Sequence, residues 1–124
     1  MVQANGPGVA PRGANMPRFI VTGCYTPTAM KGMVKKPSNR EAAARAIVEA
    51  GGGTLESYHV TTGPTDFTMT ISADDVTSLL AGLMVAGGAG AISNIQTVRA
   101  FTSDEFTKMQ EKAASLASSY SAPG

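Results

Sequence analysis

Tyr25, Arg40, His59 and Asp66 are the side chains of this sequence best equipped for acid–base or ligand chemistry. His59 is the single histidine, and an unperturbed pKa near neutrality makes it the natural general base. Asp66 follows the turn Gly63-Pro64-Thr65 and stands just before an apolar alternation, Phe67, Met69 and Ile71. His59 and Asp66 are therefore the candidate catalytic residues. Arg40, early in a helical stretch, has a guanidinium that could hold Asp66 bidentately, or join it in meeting a polar ligand. The Tyr25 or the Tyr58 hydroxyl could orient the same ligand. The candidate ligand-binding set is Arg40, His59, Asp66 and Tyr25.

Each residue also has a plainer reading. Pro64 fixes φ in the turn, and an aspartate there hydrogen-bonds nearby backbone amides. A lone histidine on a polar strand face is commonly a hydrogen-bonded structural residue, and Tyr25 and Tyr58 suit a core or its rim. Cys24 reads as an inert buried thiol, since no helix N-terminus is clearly aimed at it. Spacing alone decides none of these.

The chemistry needs positioning, and the elements are legible. Arg18 to Tyr25 is β-branched or aromatic around Gly23, which suits a first strand with one close approach. Thr26 can cap a short helix from Pro27, which must end near Lys36 because Pro37 cannot continue it. Ser38 is the expected cap of a second helix through "NREAAARAIVEA", stopped by Gly51-Gly52-Gly53. Leu55 to Thr62 and Phe67 to Ser72 are strands around the Gly-Pro turn. Asp74 or Ser72 should cap the next helix, where Val76, Leu79, Leu80, Leu83 and Met84 recur at helical spacing. A fourth strand, "ISNIQTVRAFT", precedes a final helix opened by a Thr102/Glu105 capping box.

The order βαββαβ plus a C-terminal helix predicts an α+β, ferredoxin-like fold. Its four-stranded antiparallel sheet carries both main helices on one face. Phe67, Met69 and Ile71 should look at the helices, leaving Asp66, Thr68, Thr70 and Ser72 on the open face with His59 and Thr61. Such a face is threonine-rich and lacks the aromatics and cations of an RNA-reading sheet. It suits a second sheet packed against it, with a polar cavity between, and dimerisation supplies that second sheet.

Composition agrees with one domain. The 124 residues are 43% hydrophobic and 15% charged, with a net charge of +1; that leaves little electrostatic support for nucleic-acid binding. One cysteine excludes an intrachain disulfide and one histidine a His-rich metal site. The glycine clusters at 51–53 and 87–90 lack the placement of phosphate loops, so no metal and no cofactor is expected. Residues 1–15, rich in Gly and Pro, read as a flexible arm ahead of a domain over residues 16–120. No apolar stretch resembles a secretory signal or spans a bilayer, so a cytoplasmic protein with no membrane partner is expected.

The stretches "RFIVTGCYTP", "KKPSNREAAARAIVEAGGGTL", "SYHVTTGPTDFTMTI" and "AGAISNIQTVRAFTSDEF" resemble the GYD domain family of small bacterial proteins, from about Met16 to Phe106. The family's signature is a glycine, then a tyrosine and an aspartate at the head of strand three. Gly63 and Asp66 match it, and Thr65 stands where the tyrosine is usual. The resemblance implies a ferredoxin-like domain of the dimeric α/β-barrel type and no established reaction. The expected function is a non-catalytic homo-oligomeric scaffold, or a domain that binds a small polar ligand through paired sheets. The alternative is a cofactor-independent enzyme of oxygenase or isomerase type, using His59 and Asp66 in a dimer cavity.

Overall fold

The computed structural model describes residues 16–124, and the expected arm over residues 1–15 lies outside them. Strand β1 (Arg18–Tyr25) sits between β3 (Phe67–Ser72) and β4 (Ile92–Ala100), with β2 (Thr54–Val60) outside β3. All three pairings are antiparallel. Helices α1 (Pro27–Lys35) and α2 (Arg40–Ala50) link β1 to β2, α3 (Val76–Gly88) links β3 to β4, and α4 (Ser103–Leu116) closes the chain. This is the expected ferredoxin-like arrangement.

Alternation builds the core. Phe19 and Val21 of β1, Phe67, Met69 and Ile71 of β3, and Leu55 of β2 are buried together with Val48 of α2 and Leu79 and Leu83 of α3. Each such side chain contributes about 1.5–3 kcal/mol on leaving water. Gly23 lies opposite Phe67 in the register. A Cβ on Gly23 would stand 2.7 Å from Phe67 Cζ, so glycine is what lets the ring lie across β1.

Local chemistry sets the boundaries, with some corrections to the sequence reading. Thr26 caps α1 as expected, accepting from the Ala29 amide, and the Thr102/Glu105 capping box forms in full. Asn39, rather than Ser38, caps α2: its Oδ1 accepts from the Ala42 amide at 3.0 Å, which leaves Ser38 outside the helix. Asp75, rather than Asp74 or Ser72, caps α3 by accepting from the Thr77 amide and the Ser78 hydroxyl. Strand β2 ends at Val60 rather than Thr62, and the Thr61 amide then closes the turn by donating to the Asp66 carbonyl. Strand β4 stops at Ala100, two residues before the α4 cap.

Two irregularities re-aim side chains. The β2–β3 register shifts between Leu55 and Ser57, and the β1–β4 register shifts between Thr22 and Cys24, opposite Asn94 at φ 51°. Helix α4 is exposed along its whole length. Among the described residues no helix is long and apolar enough to cross a membrane.

Candidate functional site

The site begins with a bulge. Strict alternation along β2 would put Leu55 and Tyr58 on opposite faces of the sheet. The shift after Leu55 inserts one extra residue, so Leu55 pairs with Ile71 and Tyr58 with Met69, both on the helix side. Tyr25, the last residue of β1, reaches the same side. Phe67 lies between the two phenols: its ring centroid is 5.4 Å from that of Tyr25, and 6.0 Å from the stacked ring of Tyr58.

The two hydroxyls hydrogen-bond to each other. Two phenols hold two protons and the mutual bond uses one, so the pair keeps one O–H for a third group. Burial pushes the Tyr58 pKa well above its ordinary value, and the bond to Tyr25 pushes it the same way, while nearby Arg40 opposes them. Tyr58 is therefore a neutral donor over the physiological range.

Around this pair the helices stand off the sheet. A cavity of about 290 Å³ opens between β1, β3, α2 and α3, with Tyr25, Tyr58 and Arg40 among its lining residues. The rest of its wall is mostly apolar: Ile47 and Val48 of α2, Leu83 and Ala86 of α3, Met69 of the sheet. Small residues at Ala43, Ala44, Gly82 and Ala86 keep the helix surfaces too low to fill the space. A second cavity of about 270 Å³ lies under α1, lined by Thr28, Met33, Lys36, Ser38 and Gly90 among others. Tyr25, Arg40, Ala89 and Ala91 line both.

The sequence-derived candidates divide. Tyr25 and Arg40 stand at this cleft. His59 lies opposite Thr68 on the helix-free face and is exposed, outside both cavities. The predicted Arg40–Asp66 ion pair does not form: the ion pairs of the described residues are Arg18–Glu56 and Arg45–Glu41. Asp66 instead accepts from the Tyr25 amide at 2.9 Å through Oδ2, and its own amide donates to the Gly23 carbonyl at 2.8 Å. It ties the turn to β1, so the backbone-amide reading is right and the amide is 41 residues distant in sequence. Cys24 is half-buried rather than buried, its thiol donating to the Pro64 carbonyl.

Tyr58, a phenol outside the candidate ligand-binding set, lines the cleft beside Tyr25. Its one sequence signal is an aromatic in a strand of small and polar residues, and the bulge that aims it leaves no trace in spacing. Both cavities lie on the helix side, whereas the expected pocket was placed on the helix-free face. That face is also less uniform than its threonines implied, since Arg18, Glu56 and Ser72 join by hydrogen bonds at one end of it.

No curated protein matches the chain. Among solved structures, a transcriptional regulator–L-Met complex from Neisseria meningitidis is similar over 80% of this chain and 59% of that one, at 11% identity and TM-score 0.45. A likeness that distant carries no argument here. The family model described as GYD domain, by contrast, matches residues 19–109, from the first core phenylalanine of β1 into α4. That span takes in every strand and the whole cleft, and the chain belongs to the GYD domain family.

Proposed function

We propose that this domain binds a small, largely apolar molecule in the cleft between the sheet and helices α2 and α3, without acting on it chemically. The observation that carries the reading is the cavity of about 290 Å³ with apolar walls and one polar corner. An apolar pocket with few converging polar groups is the usual form of a small-molecule site. The spare O–H of the Tyr25–Tyr58 pair and the Arg40 guanidinium orient the bound molecule. Among the described residues no His, Asp or Glu lines either cavity. The alternative enzyme reading relied on His59 and Asp66, which are elsewhere, so binding is the better-supported function.

The neutral dye N-phenyl-1-naphthylamine tests this reading. Its fluorescence should rise on addition of the protein and fall back with Ala86→Phe, a substitution that fills the cavity. Equal fluorescence with both proteins, each folded by circular dichroism, would sink the proposal.

A second copy pairing on the helix-free face remains part of the reading. Ile20 and Val98 lie side by side there in the β1–β4 register, and Val98 is 55% exposed. Sedimentation should show a dimer for the wild type and a monomer for Val98→Lys. A monomeric wild type at micromolar concentration would overturn the pairing and leave the cleft reading intact.

A further inference from the structure

We infer that the molecule taken up by the cleft is an amphiphilic anion, with its apolar tail in the larger cavity and a carboxylate-type head on Arg40 and Lys36 in the second. The inference rests on the cleft reading and names the ligand class for it.

The first support is charge without a partner. Arg18 and Arg45 each meet a glutamate. Arg40 forms no ion pair among the described residues, and its guanidinium donates only to the Ser38 hydroxyl, at 3.3 Å. Lys36 likewise forms none among them, and it lines the second cavity with Arg40 and Ser38. No carboxylate contributes to that wall. Two basic residues and a serine thus border one space, Lys36 and Ser38 at its exposed rim, with no acidic residue in the wall.

The second support is placement. Arg40 is the first residue of α2, where the helix dipole already leaves partial positive charge and disfavours a cation. Glu41 stands in the same first turn but is held by Arg45 at 2.8 Å, so a negative group at Arg40 relieves both. The guanidinium fork matches a planar carboxylate, and the Lys36 ammonium adds a point charge.

The third support is continuity. Tyr25, Arg40, Ala89 and Ala91 belong to both walls, so a molecule seated at Arg40 has its remainder against Tyr25. From there the larger cavity offers apolar surface as far as Leu83 and Met69. One polar end and one apolar body fit this shape. A ligand with hydrogen-bonding groups along its length would leave them unpaired in the larger cavity.

The test is calorimetric titration of the full chain with octanoate, octan-1-ol and octylammonium, which share a tail and differ in head group. Octanoate should bind at least about tenfold more tightly than octan-1-ol, the gain expected of charge-assisted hydrogen bonds at a partly open site. Octylammonium should bind most weakly. The double variant Lys36→Gln/Arg40→Gln should abolish the preference for octanoate over octan-1-ol. Equal binding of octanoate and octan-1-ol by the wild type, both abolished by Ala86→Phe, would overturn the anion inference while the cleft reading stands. A wild-type preference for octanoate that survives in the double variant would overturn the assignment to Arg40 and Lys36. Binding of none of the three would sink the cleft reading and this inference together.

Discussion

The two faces of this four-stranded sheet are built from the same strands and have opposite characters. On the helix side, Phe67, Met69 and Ile71 are buried under α2 and α3, and these side chains, with Tyr25 and Tyr58, also line the cavity left between sheet and helices. On the other side, Thr68 and Thr70 stand between Ile20 and Thr22 of β1 and His59 of β2. Residue chemistry pointed to the open face, because His59 and the threonines are the side chains that look reactive. The cleft instead draws its character from what its lining lacks: bulk at Ala44, Gly82 and Ala86, and any carboxylate. Catalytic-looking residues and a binding-competent space need not coincide, since the first is a matter of side-chain type and the second of imperfect packing.

The difference between the faces should appear most strongly in stability. Phe67→Ala removes a ring that is 2% exposed and should cost about 3–5 kcal/mol. Thr68→Ala, its neighbour on the open face, should stay within about 0.5 kcal/mol. Urea denaturation of both variants measures the contrast, and similar losses would mean that the open face is as well packed as the core. Gly23→Ala should follow, at about 1–3 kcal/mol, because its Cβ would overlap the Phe67 ring. A neutral outcome would show that Phe67 can retreat into the cavity.

Asp66→Ala should cost about 1–3 kcal/mol by orphaning the Tyr25 amide, and Asp66→Asn less, since an amide oxygen can still accept that bond. Combining Asp66→Ala with Arg40→Ala should give additive losses in the same denaturation assay. Coupling between them would restore the ion pair that the structure lacks.

The smallest effect is confined to alkaline solution. The Tyr58 pKa is raised above its ordinary 10.0 in the folded protein, chiefly by burial. The stabilisation this implies is complete below pH 10.0 and is lost as pH rises from there toward the folded-state value. Melting temperature should therefore fall more steeply above that pH in the wild type than in Tyr58→Phe. Parallel profiles would mean that the phenol is no more buried than its unfolded counterpart.

Much of the fold was written locally. The alternation at Phe67, Met69 and Ile71 gave β3 its bounds and its buried face without error, since a period of two has one reading when one side is apolar. Thr102 and Glu105, three residues apart, specified the start of α4 because both halves of a capping box lie within one turn. Adjacent candidates were harder. Ser38 and Asn39, or Asp74 and Asp75, are equally able caps by type, and which one faces the free amides depends on where the incoming chain is held.

The site divides in the same way. Sequence determined that Tyr25 and Arg40 could contribute a hydroxyl and a cation, and that Asp66 belonged to the turn after Gly63. Only tertiary structure decided that Asp66 would serve the Tyr25 amide rather than Arg40, because that choice depends on how the turn docks against the end of β1. Only tertiary structure turned Tyr58 toward the helices, through a one-residue bulge in its pairing with β3. The cavity also belongs to this second class. A void is a difference between the volume that elements enclose and the volume their side chains fill, and no single stretch of sequence contains both quantities.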